Sequence, residues 1–200
     1  SGDENDHLNF ESFEAVRDNS APSADEVAAL LLESGMWTAF KERPYGQVPS
    51  AEGRPGSLFL TCTDTEPLSG DVEQVLAGNE EDFALGVKLL STLSEEVYLC
   101  VAPGSKASAG KSDGVQVEEF SGKHPAGLAG THIHMLYGAS RSKTAWSIHL
   151  ADIIGVGYLF RTGKMFTKRI ISLAGPQVSN PRLVETRMGA FLDDVVAGEL

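Results

Sequence analysis

Two stretches, Ser57-Leu-Phe-Leu-Thr-Cys-Thr63 and Val97-Tyr-Leu-Cys-Val101, are apolar without alternation and of strand length, the pattern of strands covered on both faces. Between them Asp71-Val-Glu-Gln74 and Asn79-Glu-Glu-Asp82 offer two helix starts, and Phe83, Val87 and Leu90 recur at helical spacing. Strand, helix, strand in that order implies a right-handed parallel crossover. Upstream, Ser23-Ala-Asp-Glu26 is a capping box that predicts a helix to about Ser34, stopped by Gly35. Downstream, Val115-Gln-Val-Glu-Glu-Phe120 alternates like a strand with one wet face, and residues 150–160 are apolar nearly all round, as in a buried helix. Gly155-Val-Gly157 inside that helix reads as a site of close helix packing, being too short for a dinucleotide fingerprint. Residues 165–173 form a further strand. Gly175-Pro176 and Asn180-Pro181 mark a turn, residues 182–188 alternate again, and residues 190–196 suit a short helix.

The remaining stretches are less regular. Residues 1–22 are polar and acidic, with Leu8, Phe10, Phe13 and Val16 as apolar anchors, and are expected to cross the surface as a lead-in. Residues 103–114, rich in Gly, Ser and Lys, read as a mobile loop or an excursion, and residues 124–130 as a turn-rich connection.

Two hundred residues with 42% hydrophobic content can bury one full core and a small second unit. A formal net charge of -12 argues against nucleic acid as a partner, since phosphates would be repelled by most of the surface. No apolar run reaches the roughly 18–20 residues of a membrane span, and no charged-then-apolar signal segment opens the chain. Cys62 and Cys100 sit in apolar strand runs, where cysteines act as small buried hydrophobes.

Candidate chemistry is sparse. His132 and His134 are the closest pair of metal-type ligands, and an extended segment would put both on one face. A third ligand at a diagnostic spacing is missing, so a structural pair stands beside the metal reading. His7 and His149 read as surface residues. Nucleophilic catalysis lacks a Gly-x-Ser-x-Gly elbow and a His beside either cysteine. Asp64, Glu66 and Asp71 follow the first buried strand, where α/β folds place ligand-contacting residues, although capping or turning the chain explains Asp64 as well. Basic residues dominate between Arg141 and Arg187, against the acidic trend elsewhere, which suits either a docking face or ordinary solvated charge.

Several separated motifs occur in one order: Leu32-Glu-Ser-Gly-Met-Trp-Thr-Ala39, Arg43-Pro-Tyr-Gly-Gln-Val-Pro49, Asp64-Thr-Glu-Pro-Leu68, His124-Pro-Ala-Gly-Leu-Ala-Gly-Thr-His-Ile-His134, Asp152-Ile-Ile-Gly-Val-Gly157, and the run from Leu173 to Ala190. Together they resemble the A subunits of the bacterial sodium-translocating NADH:quinone oxidoreductases, a family related to the flavin-binding subunits of complex I and the Rnf complex. Members of the family are longer at both ends, so the chain looks like an internal fragment. The resemblance implies an α/β fold with a Rossmann-like, flavin-subunit-type sheet and helices on both faces, followed by the start of a small β-grasp (ubiquitin-like) soluble-ligand-binding unit. It divides the chain into an acidic lead-in at 1–22, the Rossmann-like domain at 23–168 and an incomplete β-grasp-like unit at 169–200.

Related subunits hold the flavin phosphate in a glycine-rich loop. Where that loop would fall, this chain reads Ser34-Gly-Met-Trp-Thr-Ala-Phe-Lys-Glu-Arg-Pro44. Phosphate binding needs bare backbone N–H groups, and side chains at 36 to 40 obstruct them. The expectation is therefore a peripheral subunit on the cytoplasmic side of the bacterial inner membrane. It would carry no catalytic, cofactor-binding or metal-binding residues, and its partners would be the other subunits of the complex. Flavins and the iron–sulfur cluster would reside in those subunits, in a complex that oxidises NADH, reduces ubiquinone and exports Na⁺. The isolated fragment is expected to catalyse nothing. The alternative is a quinone-binding or subunit-docking module, with Trp37, Phe40, Arg43 and Tyr45 lining a crevice for a flat ring or meeting a neighbour. Against quinone stands plain packing of Trp37. A free-standing flavoenzyme would instead purify as a yellow protein.

Overall fold

The computed structural model describes residues 8–198. Residues 1–7, with His7 and the first part of the acidic lead-in, lie outside it. The rest of that lead-in departs from expectation. It forms a helix, α1 (Glu11–Val16), whose flanking Phe10 and terminal Val16 are buried in the main core. The Glu33 carboxylate accepts the backbone N–H groups of Glu11 and Ser12, each at 2.8 Å, satisfying two donors that α1 cannot satisfy itself. Helix α2 (Ala24–Glu33) starts with the expected capping box: Ser23 N donates to Glu26 Oε2 at 2.7 Å and Glu26 N to Ser23 Oγ at 3.3 Å. Gly35 ends it with φ 78, a left-handed conformation natural to glycine.

The chain continues through β1 (Lys41–Arg43), β2 (Ser57–Cys62), α3 (Val72–Leu76), α4 (Glu80–Leu90), β3 (Val97–Val101), β4 (Val115–Glu119), α5 (Ala129–Leu136), β5 (Ala145–His149) and α6 (Leu150–Thr162). It closes with β6 (Lys168–Leu173), β7 (Arg182–Arg187) and α7 (Leu192–Val195). A five-stranded sheet runs in the order β1-β5-β2-β3-β4, parallel except for β1, which pairs antiparallel with β5. Strands β6 and β7 form a separate antiparallel pair. From β2 the chain proceeds outward to β3 and β4, then returns to place β5 on the other side of β2. Strand order therefore reverses between β2 and β5, and a crevice opens there beyond the strand ends.

Strand β5 has no counterpart among the elements expected from the sequence, yet it is central. Residues 145–148 are wholly buried, with Trp146 and Ile148 facing the main core and Ala145 the opposite side. Helices α2, α4 and α6 pack on the first face through residues such as Leu30, Val87 and Ile154. Helix α5 covers the second through Ile133 against Phe59, Tyr98 and Cys100. Cys62 and Cys100 point to opposite faces, both as free thiols, and burial pushes both thiol pKa values up. The expected loop at 103–114 also contains structure. A 3-10 turn over Lys106–Gly110 is capped by Ser105, and Ala107 and Gly110 are buried.

Helices α4 and α6 meet backbone to backbone. A Cβ at Gly157 would overlap the carbonyl of Asp82, and one at Gly86 would overlap the carbonyl of Ile153, so the expected close packing at Gly157 is present. At one end of this contact the nearly buried Asp82 carboxylate takes two bonds from Arg161, Nε at 2.6 Å and Nη2 at 2.8 Å.

Candidate functional site

The bend after Gly35 is a 3-10 turn over Met36–Ala39. Trp37 is 4% exposed and Phe40 fully buried, and their rings make an aromatic cluster with Trp146 at centroid separations of 5.4 Å for both Trp37 contacts and 5.5 Å for Phe40. Both indoles are satisfied: Trp37 Nε1 donates to Pro49 O and Trp146 Nε1 to Glu42 Oε2, each at 3.0 Å. Met36 is buried too and packs beside Gly155 of α6. The four candidate residues at this bend therefore separate into two pairs. Trp37 and Phe40 belong to the core, whereas Arg43 and Tyr45 lie on the surface at the end of β1, Tyr45 61% exposed. Arg43 reaches toward Gly130 of α5.

The histidine pair is not extended. Residues 132 and 134 lie on α5, where a spacing of two turns the side chains about 200° apart. His132 is fully buried and His134 exposed. No group of three or more His, Cys, Asp or Glu side chains among the described residues is placed to hold a metal ion. His132 stacks on Phe120 at a centroid distance of 4.0 Å, and its Nε2 lies 2.9 Å from Ala126 O, which assigns the proton to Nε2. Burial pushes its pKa below the ordinary histidine value, with the Ala126 bond opposing and His149 adding a small lowering. The unfolded chain takes up this proton near pH 6.5, and the folded chain resists it. Stability is thus complete above that pH and is lost as pH falls toward the lowered value. Thermal melts should show a falling Tm between about pH 7 and pH 5, and His132→Gln should flatten that slope.

The carboxylates after β2 lie at the strand-order reversal. Asp64 Oδ1 accepts the N–H of Glu66 at 2.8 Å, and Asp71 Oδ1 caps α3 by accepting that of Glu73 at 2.9 Å, so both shape the local chain. Glu73 in turn receives Ser105 Oγ at 2.6 Å and Lys106 N at 3.1 Å, joining the loops after β2 and β3. A crevice of about 360 Å³ opens at the ends of β2 and β5, reaching from Thr61 and Thr63 past Asp64 to His149 and Leu150. Ile170 of β6 contributes to its wall, and Leu183 of β7 packs on Gly70 of the adjoining loop. His149 is exposed, and it also closes β5 opposite Thr61 and occupies the N-cap position of α6. Thr61 and Leu128 escape sequence reasoning, because nothing in the sequence separates them from other buried or turn residues.

The basic stretch is largely spent in local pairs: Arg161 with Asp82, Lys168 with Glu185 at 2.6 Å, and Arg169 with Asp152 at 3.1 Å. Burial raises the Asp152 pKa, against the lowering influence of Arg169 and His149. None of the helices among the described residues is long and apolar enough to cross a membrane.

Comparison with known proteins gives this architecture a family. Residues 22–165 match the family described as the NqrA second alpha/beta domain, and residues 170–200 the NQRA C-terminal domain. The chain is similar to the A subunit of the Na(+)-translocating NADH-quinone reductase of Shewanella amazonensis, 43% identical over 197 residues covering 98% of this chain and 44% of that protein. The protein of the same name from Marinomonas sp. is 49% identical, covering 88% of this chain and 39% of that protein. Its Pseudomonas aeruginosa counterpart is 46% identical, with coverages of 89% and 40%. The chain thus spans less than half the length of these relatives. Among solved structures, the NAD+-reducing [NiFe]-hydrogenase in its H2-reduced state shares the fold, with a TM-score of 0.60 at 15% identity, covering 94% of this chain and 41% of the hydrogenase chain.

Proposed function

Because the chain belongs to the NqrA family through its second alpha/beta domain, we propose that it serves as part of the A subunit of a Na⁺-translocating NADH:quinone reductase. In that role it supports electron transfer from NADH to quinone without redox chemistry of its own. It sits peripherally on the cytoplasmic side of the inner membrane, and its partners are the other subunits of the complex, which hold the flavins and the iron–sulfur cluster. Residues 23–168 act as a Rossmann-like domain, and residues 169–200, with the β6–β7 pair, open a β-grasp-like unit.

One observation carries this reading: Met36, Trp37 and Phe40 are core side chains. A phosphate cradle needs bare backbone at a turn, and here the turn is committed to packing. The two exposed residues beyond the bend, Arg43 and Tyr45, then become subunit-docking residues, types enriched at interface hot spots. The double substitution Arg43→Ala/Tyr45→Ala should weaken association with the partner subunits at least about tenfold, the effect expected of truncating one hot spot. Its Tm should stay within about 2 °C of the parent, because surface changes cost little. Unchanged association would defeat the docking assignment.

Quinone binding is the second reading, favoured by the same exposed Tyr45 beside Arg43. Titration with a short-chain ubiquinone analogue, followed by tryptophan fluorescence, distinguishes the two. Saturable quenching that the double substitution abolishes would support the quinone site. A linear response supports docking.

A further inference from the structure

The crevice at the strand-order reversal has unmet hydrogen-bonding capacity that neither packing nor subunit docking explains. Thr61 is 2% exposed and lines this crevice, yet its Oγ1 has no hydrogen-bond partner. A buried hydroxyl left without a partner costs stability, and such groups are few in folded proteins. Two helices also begin here. Leu128 stands at the N-cap of α5 and His149 at that of α6, both lining the crevice, and neither offers a side-chain bond to its helix. Elsewhere in the chain, α2 and α3 are capped by Ser23 and Asp71. The first turns of α5 and α6 therefore bring donors and partial positive charge to the inner part of the crevice.

The outer lip has the opposite character. Asp64 and Glu66 are exposed there, and neither forms an ion pair among the described residues. Val72, Val75 and Ile170 supply apolar wall between the two ends. A simple anion would suit the helix ends and be repelled by the lip, while a simple cation would meet the reverse. A small ligand carrying both charges a few ångströms apart satisfies both.

We propose that this crevice binds a free aliphatic α-amino acid, its carboxylate received by Thr61 Oγ1 and the starts of α5 and α6, its ammonium held by Asp64 and Glu66, and its side chain against Val72, Val75 and Ile170. The volume of about 360 Å³ is at the lower end of the range for small-molecule sites.

Isothermal titration of the whole chain with L-leucine tests this assignment. Saturable one-to-one binding is expected, with Kd in the range of about 0.1–1 mM for so few atoms. Isocaproate, which is leucine without its amine, should bind at least about tenfold more weakly, the deficit expected from losing one charge-assisted contact. The isosteric Thr61→Val should weaken leucine at least about tenfold, and Thr61→Ser, which keeps the hydroxyl, should restore it. Asp64→Asn/Glu66→Gln should erase the preference for leucine over isocaproate; both positions are exposed, so folding should survive and the charge assignment stays testable even if Thr61→Val proves unstable. Absence of saturable heat with leucine, equal binding of isocaproate by the parent chain, or full affinity in the lip variant would overturn the proposal.

Discussion

Gly157→Ala should lower stability by about 3 kcal/mol, the upper part of the usual overpacking range. For a chain of this size that corresponds to a drop in Tm of roughly 6–12 °C. Helix propensity alone gives the opposite sign, since alanine in a helix interior is worth about 1 kcal/mol more than glycine. Sterics win because the new methyl would overlap the carbonyl of Asp82, a backbone atom fixed within α4 that cannot rotate away. Gly86→Ala meets the carbonyl of Ile153 in the same helix contact and should cost a similar amount. The two replacements push apart the same pair of helices, so the double variant should lose less than the sum of the singles. Thermal unfolding followed by circular dichroism would measure all three. A neutral or raised Tm for Gly157→Ala would mean that α4 and α6 are not in backbone contact.

Trp146→Ala should be the more damaging change, at about 3–5 kcal/mol by comparison with other large aromatic deletions. The indole is fully buried, packs with Trp37 and Phe40, and donates to Glu42 Oε2, so its removal leaves both a cavity and an unpaired acceptor. Trp146→Phe keeps much of the volume and should cost about half as much, because only the cavity remainder and the lost bond count. Denaturant unfolding, with m unchanged and a lower midpoint, would record the difference. Equal stability of Trp146→Ala and the parent would show that this aromatic cluster does not support the bend at residues 36–40.

These contacts connect elements of unequal legibility. The capping box at Ser23, the unbroken apolar runs of β2 and β3 and the buried helix α6 are legible directly, since each signal is local and agrees with the tertiary environment. Strand β5 is hidden because its apolar residues run without a break into α6, leaving no turn to mark the junction. Helix α1 is hidden for a different reason. Phe10, Phe13 and Val16 recur every third residue, a helical spacing, but the density of charge around them suggests a solvated segment. Around α5 the sequence Ala-Gly-Thr-His-Ile-His contains weak helix formers, and packing of His132 and Ile133 against the sheet overrides them. That override turns a pair on one face into one buried and one exposed histidine.

At the site, residue types are readable and relations are not. Asp64 and Asp71 can be recognised as turn and cap residues from their chemistry. That Thr61 ends up opposite His149 depends on register between β2 and β5, strands far apart in sequence. An unpartnered hydroxyl is a property of the assembled fold, so no local pattern announces it. Similarly, aromatic residues beside a degenerate loop do not reveal whether they line a crevice or fill it; the orientation of the 3-10 turn decides that for Trp37 and Phe40.

Calorimetric titration of the purified chain with flavin mononucleotide, with amide hydrogen exchange read at residues 35–40, is the most direct measurement of the central claim. If side chains occupy the place of the phosphate cradle, no saturable heat appears and exchange at those amides is unchanged by the flavin. Stoichiometric binding that slows exchange at Gly35 through Phe40 would contradict the claim and return the chain to the flavin-binding class.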